Sequence, residues 1–415
     1  KGAVTAPEPM PSRSPATDVP LDPDELLELS LDLTPTVARR VAKLRDLRFG
    51  RPPTPDVTGT DDLRRIARRG LRRPRVRAQI RAGDAELKLL GLLEANESLG
   101  DVATETTALA AAFYDPRRDR LSVVGDAVPA GPAVAEFVLA HELNHALEDE
   151  RFGLPAGGGV SDDRALAGTA LVEGSATALM RDYAVVHLDP LELATDAAGI
   201  DGGTGGLPRF ALEEVDFAYF GGLEFVDALR RATGDWRLVD YAYRTRPPQT
   251  TEQILHPEKY LDGEEALAVL PPTPGDSGWR ELDTGTIGEF ATVQILKEGL
   301  DEATADEAAA GWGGDSYRLW RVPVRGATAD AGAGGPCCDG YALGLRWRWD
   351  TARDAREFER ALERYVVNGL DGDDRGAAVW ATASGHAAVE ADGDQVALGL
   401  ASSGDAAARI ADLGS

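Results

Sequence analysis

Cysteine is almost missing from this 415-residue chain. Only Cys337 and Cys338 occur, side by side, so no disulfide framework holds the fold. Neighbouring Cα atoms lie about 3.8 Å apart, short of the usual bridged span. The pair therefore reads as two free thiols in a glycine-rich loop, or as a redox or metal pair. Long apolar runs are missing too: none approaches the roughly 18 residues of a membrane-spanning helix, so no transmembrane segment is visible. Lysine is scarce (Lys1, Lys43, Lys88, Lys259 and Lys297) while arginine and alanine abound, the imprint of a GC-rich genome or of a halophilic source. Positive charge as a whole is outweighed, 44 basic against 70 acidic residues, for a net charge of -26. Such a chain repels phosphate backbones, which argues against nucleic acid as a main partner. With 43% apolar and 27% charged residues, a wholly disordered chain is excluded.

The length suggests two or three domains. Residues 1–20, rich in Pro, Ser and Ala, read as a disordered tail. A first domain is expected over residues 21–270 and a smaller one over 271–415, divided at Pro271, Pro272 and Pro274. The chain opens at Lys1 without methionine, and its Pro/Ser-rich start suits an exported protein whose leader has been removed, hence an extracytoplasmic location.

Patterning predicts helices near residues 25–29 and 36–47, and one arginine-dense helix over 61–81. That run could dock an anionic partner, or form a solvated face paired with the acidic remainder. Two short strands flank the turn Asp115-Pro116-Arg117-Arg118-Asp119. Gly131-Pro132 opens a helix to about Glu150. After glycines 157–159, Ser161-Asp162-Asp163 starts a second helix reaching about Asp182, and further helices fit 212–233. The last part reads as helices at 287–300, 302–310 and 352–367, strands at 317–324 and 341–349, a hairpin over 387–401, and a short terminal helix. The fold class is α+β.

His141-Glu142-Leu143-Asn144-His145 carries the chemistry. Residues four apart share one helical face, so both imidazoles can reach one metal ion, with Glu142 beside the attacking water. Apolar stripes on two sides of this helix (Val134, Phe137 and Val138; Leu139, Leu143 and Leu147) place it in the domain centre, where two unpartnered histidines would be costly. A catalytic zinc needs a third protein ligand and an open position. The metzincin continuation fails, because Glu148 and Arg151 stand where its glycine and histidine would fall. Glu173, in Leu171-Val172-Glu173-Gly174-Ser175-Ala176-Thr177, supplies a carboxylate on a helix face shared with Leu166, Ala170 and Thr177. Glu148, on the face of His145, is the rival.

At this point the chain resembles the gluzincin metallopeptidases, which include thermolysin and the aminopeptidase N family. It is closer still to an uncharacterised bacterial group classed with the zinc metallopeptidases, through HELNHALEDERF, ALVEGSAT, YFGGLEFVDAL, TTEQILHPEKY and AAAGWGGDSY. The resemblance implies a zincin-like metallopeptidase domain, one catalytic Zn2+ on His141, His145 and Glu173, and Glu142 as general base. The thermolysin pattern has a histidine-orienting aspartate four residues after its glutamate ligand. Thr177 stands there instead, leaving Asp162 or Asp163 as substitutes.

An oxyanion also needs a donor. Tyr219, in Tyr219-Phe220-Gly221-Gly222, is similar to the Y-x-x-G tyrosine that serves aminopeptidase N enzymes, unless it is a plain core aromatic. His256, in Ile254-Leu255-His256-Pro257, is the alternative donor, unless it anchors a turn. Gly311-Trp312-Gly313-Gly314-Asp315 has no G-K-[ST] ending and reads as architectural. The expected activity is hydrolysis of peptide or protein substrates by a zinc-bound water activated by Glu142. The alternative is a catalytically idle zincin-fold binding or scaffold protein.

Overall fold

Asp22 opens the first helix. Its carboxylate accepts from Asp24 N at 2.9 Å, Glu25 accepts from Asp22 N in return, and Pro23 suits the first turn. The computed structural model describes residues 21–127, 131–155, 162–197, 206–323 and 340–414. The tail over 1–20, glycines 157–159 and the pair Cys337 and Cys338 lie outside the described residues.

Chain order begins α1 (Pro23–Leu44), β1 (Pro55–Thr58), α2 (Thr60–Leu71), α3 (Pro74–Leu89), α4 (Leu99–Ala108), β2 (Ala112–Asp115) and β3 (Arg120–Val124). Next come α5 (Pro132–Phe152), α6 (Asp162–His187), α7 (Pro190–Ala197), α8 (Arg209–Asp216), a π-turn (Phe217–Gly221), α9 (Gly222–Thr233), α10 (Arg237–Arg244), α11 (Thr251–Leu255) and α12 (Pro257–Asp262). The remainder is β4 (Arg280–Gly285), α13 (Gly288–Leu296), α14 (Glu302–Ala309), β5 (Trp312–Arg321), β6 (Tyr341–Trp349) and α15 (Ala352–Gly369), then β7 (Asp373–Gly376), β8 (Val379–Thr382), β9 (Gly385–Asp392), β10 (Gln395–Ala401) and α16 (Gly404–Ala411). The architecture is α+β.

Two readings of the sequence are corrected. The break expected between residues 29 and 36 is absent, and α1 continues through Pro35. Leu26, Val37, Ala38 and Val41, on both sides of the proline, bury in one core, and that burial outweighs the roughly 3 kcal/mol an internal proline costs. The single arginine helix over 61–81 is instead two, α2 and α3. They part at Arg72 and Arg73 because Pro74 lacks a donor and is at home in a first turn.

The first core is built by α1, α5, α6, α9 and α10 around Leu139, Leu143, Leu147, Leu171, Leu179 and Phe225. A three-stranded sheet of order β1-β3-β2 lies beside it. β1 runs parallel to β3, β2 runs antiparallel to β3, and β2 is therefore an edge. A seven-stranded sheet of order β4-β5-β6-β10-β9-β8-β7 carries the second half, each pairing antiparallel. Tryptophans 312, 347 and 349 pack one face of it with Phe358 of α15, while Trp320 and Ala397 pack the other with Ile410 of α16. This second core also takes Ala82, Ala85, Leu89 and Leu90 from α3, so the two halves share a wall. At the junction Asp163 accepts from Thr251 N and Oγ1, both at 2.7 Å. Asp315, from the glycine-rich segment, accepts from Ile287 N and Gly288 N at 2.8 and 2.7 Å and so caps α13. Gly311 takes a left-handed φ of 83° at that helix-to-strand turn, the architectural part expected of it.

Candidate metal centre

Pro132 in the first turn and Gly153 at φ 74° bound the helix that carries HExxH. Being apolar on two sides, α5 is enclosed over most of its length: Leu139, Ala140, Leu143 and Leu147 are fully buried. Helix α6 packs against it and brings Glu173 to the same face. His141 Nε2 lies 3.0 Å from His145 Nε2 and 3.2 Å from Glu173 Oε2, and His145 Nε2 lies 3.6 Å from Glu173 Oε2. The imidazole planes stand at 86° to one another. Ligands held about 2.0–2.1 Å from a tetrahedral zinc are about 3.3 Å apart. The three distances straddle that value, so the donor set fits zinc. A carboxylate oxygen of Glu142 lies within 4.8 Å of an imidazole nitrogen of each histidine.

The electrostatics favour a cation. Burial alone would lower the His145 imidazole, but the carboxylates of Glu173, Glu142 and Glu148 outweigh it and hold the pKa at about 9. Glu173 is the converse: burial raises its pKa, and the two histidines more than reverse this, leaving it well below the usual carboxylate range. Glu142 is pushed up, chiefly by burial. Several polar atoms here are buried and without partners among the described residues: Nδ1 of both histidines, Glu142 Oε2, both amide atoms of Asn144, and Thr177 Oγ1.

Glu148, the rival ligand, is committed elsewhere. It is fully buried and accepts from Arg45 Nε and Nη2 at 3.1 and 2.9 Å, Ser175 Oγ at 2.5 Å and Tyr243 OH at 2.7 Å. Neither Asp162 nor Asp163 orients a histidine, contrary to the substitution expected from the sequence. Asp163 is held by Thr251, and Asp162 accepts from Tyr317 OH at 3.4 Å, because both sit at the start of α6, about three turns before Glu173.

Tyr219 comes to the centre. Its ring stacks on His141 at 5.8 Å between centroids, 14° from parallel. Burial, then the Glu173 and Glu142 carboxylates, push its phenol well above the ordinary value, so it keeps its proton. The π-turn that carries it is placed by a backbone-to-backbone crossing. A Cβ on Gly174 would lie 2.1 Å from Gly222 O, and one on Gly222 would lie 2.0 Å from Ala170 O. Only two glycines let α9 start against α6 one residue from Glu173, which gives the E-G and Y-x-x-G spacings a steric reason. His256 goes elsewhere. Its Nε2 pairs with Glu289 Oε1 at 3.0 Å, and both line a cleft of about 560 Å³ with Phe217 and Gly221. Phe217 and Gly221 are four apart and share a face, so this cleft lies across the turn from Tyr219.

The sequence reading assigned the hairpin over 110–124 as an edge strand for an extended substrate, but missed the contact that β2 makes with Glu142 and the partners of Glu148, namely Arg45, Ser175 and Tyr243. The Tyr114 backbone N–H acts on the Glu142 carboxylate from that strand. Only Ser175, inside the glutamate motif, left any local signal.

A family described as "Domain of unknown function (DUF8575)" matches residues 278–411, which span β4 to α16. No curated protein and no solved structure matches the chain. The matched segment contains neither α5 nor α6.

Proposed function

We propose that the protein is a zinc-dependent metallopeptidase, with a zincin-like domain in its first half, acting on peptide or protein substrates. The observation that carries this reading is the convergence of His141 Nε2, His145 Nε2 and Glu173 Oε2 at 3.0–3.6 Å beside Glu142. Zinc, when bound, supplies Lewis acidity that polarises a carbonyl and makes water acidic near pH 7. The chain's own groups do the rest. The raised pKa of Glu142 suits a base that takes the proton of the attacking water and then hands it to the leaving amine. Tyr219 donates its phenol hydrogen to the carbonyl oxygen as that atom gains charge. An extended substrate adds to the free edge of β2, beside Glu142. The same reading places the protein outside the cytoplasm, where a peptidase does not meet nascent chains.

The test compares wild type with Glu142→Gln for zinc content and for cleavage of an unfolded protein. Both should hold about one zinc per chain, and only wild type should cleave. Absence of zinc from both would end the reading. Zinc in both with no cleavage by wild type would make the protein an idle zincin-fold binder, and equal cleavage by both would remove Glu142 from the mechanism.

A further inference from the structure

Nine arginines fall between residues 64 and 81, with no acidic residue among them. In so acidic a chain such a run should be neutralised by its surroundings. Among the described residues only two find a carboxylate: Arg64 pairs with Glu105 and Asp61, and Arg65 with Asp62. The other seven, Arg68, Arg69, Arg72, Arg73, Arg75, Arg77 and Arg81, are exposed and enter no ion pair, hydrogen bond or ring contact with the described residues. Removing the nine from a chain at -26 leaves the rest at -35, so the charges are segregated rather than mixed.

The helices explain the arrangement. Arg65, Arg68, Arg69 and Arg72 recur at helical spacing along α2, and Arg73, Arg77 and Arg81 along α3. The two rows meet at the corner before Pro74. Leu63 of α2 and Ala82, Ala85 and Leu89 of α3 are buried against the protein, which turns the rows outward. Measured along the two helix axes they cover about 20 Å in all. A small anion meets only the few guanidinium groups beside it; an extended, flat anionic surface can meet both rows.

We propose that the α2–α3 corner is a docking surface for a membrane with anionic lipid headgroups. Ile66, 53% exposed, sits between Arg65 and Arg69 in the row. A headgroup layer accepts such an apolar group, whereas a nucleic-acid backbone has no use for it. A flat surface touched at one projecting corner leaves most of the acidic remainder beyond the Debye length of about 8 Å. A nucleic acid following the protein surface would meet that repulsion. A second copy would have to bring an acidic patch of its own to the corner, and would show itself as arginine-dependent self-association.

The probe is vesicle co-sedimentation of the full chain with phosphatidylglycerol–phosphatidylcholine vesicles against pure phosphatidylcholine, across a salt series. Wild type should bind the anionic vesicles only, and less as salt rises. R68Q/R69Q/R72Q/R73Q should lose about 600-fold in partitioning, about fivefold for each of the four charges, with melting temperature and zinc content unchanged. R68K/R69K/R72K/R73K should retain binding. No wild-type binding, undiminished binding by the glutamine variant, or loss in the lysine variant overturns the proposal. So does tighter wild-type binding to duplex DNA than to vesicles, or arginine-dependent self-association without vesicle binding. Zinc content and cleavage are read separately, so failure here leaves the peptidase reading intact.

Discussion

Replacing Gly174 by alanine tests whether α6 and α9 touch through their backbones. The added methyl would lie 2.1 Å from both the carbonyl carbon and oxygen of Gly222, while ordinary contact begins at 3.4 Å. The obstacle is main chain inside a helix, so no side chain can swing away. The helices must part by about 1.3 Å, loosening Phe225, Val226 and Leu229, all fully buried on α9. Overpacking of this kind costs about 3 kcal/mol. Alanine gains up to about 1 kcal/mol over glycine inside a helix, so the net loss should be about 2 kcal/mol, read as a lower urea midpoint at unchanged m-value. The π-turn runs straight into α9, so Tyr219 should shift off His141, and turnover should fall while zinc stays bound. Gly70→Ala in α2 is the control: nothing lies within 4 Å of its methyl position, and it should stabilise by about 0.5–1 kcal/mol. If Gly174→Ala behaves like Gly70→Ala, the close crossing does not exist.

Glu148→Ala should cost about 3–5 kcal/mol, because it leaves the fully buried Arg45 guanidinium with Asp240 alone, yet the variant should keep its zinc; Glu173→Ala should lose zinc with little loss of stability. Calorimetry and metal analysis would show the pattern inverted if Glu148 were the ligand. Tyr219→Phe should cut kcat by on the order of 100-fold with KM and zinc content nearly unchanged, and His256→Ala should act on stability through Glu289; kinetics showing the reverse would move the oxyanion donor to His256. Burial raises Glu86 to about 8 and Asp163 and Asp315 to about 7, so the folded chain holds protons that the unfolded one releases near pH 4. This contribution is full below about pH 4 and is lost as pH rises through 7–8, so the urea midpoint of metal-free protein should be lower at about pH 8 than at about pH 5.5, and a rising midpoint would refute the burial of these groups.

What was legible in the sequence is what is local. The HExxH spacing, the two apolar stripes of α5 and the hairpin of β2 and β3 all follow from residues within a few turns of one another. The choice between Glu148 and Glu173 was not local. Both lie on inward helix faces, and what separates them is Arg45, about a hundred residues earlier, and Tyr243, as far downstream. β1 carries no readable alternation in four residues, and its parallel partner β3 lies more than sixty residues away, so only the assembled sheet reveals it. Pro35 and Pro74 show the same limit. One is overridden by burial on both sides and the other splits a helix, a difference set by neighbours and not by the prolines themselves.

The two halves of α5's polar face make the strongest physical case for a bound cation. One turn beyond His145, Glu148 is fully buried and its own carboxylate is satisfied: Arg45, Ser175 and Tyr243 converge on it, and only Arg45 Nη1 on the far side of the guanidinium is left without a partner among the described residues. The turn before it holds two imidazoles, a carboxylate and an amide that are also buried, and between them they leave Nδ1 twice, Glu142 Oε2 and both Asn144 amide atoms without partners among the described residues. Each such atom costs about 1–3 kcal/mol if nothing meets it. Five together approach the whole of a typical domain's stability, about 5–15 kcal/mol. A chain able to satisfy Glu148 so fully could have made the preceding turn apolar, as it did at Leu139, Leu143 and Leu147 on the neighbouring faces. The unsatisfied turn is also the one where three ligand atoms meet at the edge lengths of a tetrahedron, with an acidic environment that holds His145 positively charged when no metal competes. In the proposed reading a divalent cation at the two Nε2 atoms would replace that proton and its water would meet Glu142 Oε2, while the Nδ1 atoms, on the far side of each ring, would still need partners of their own.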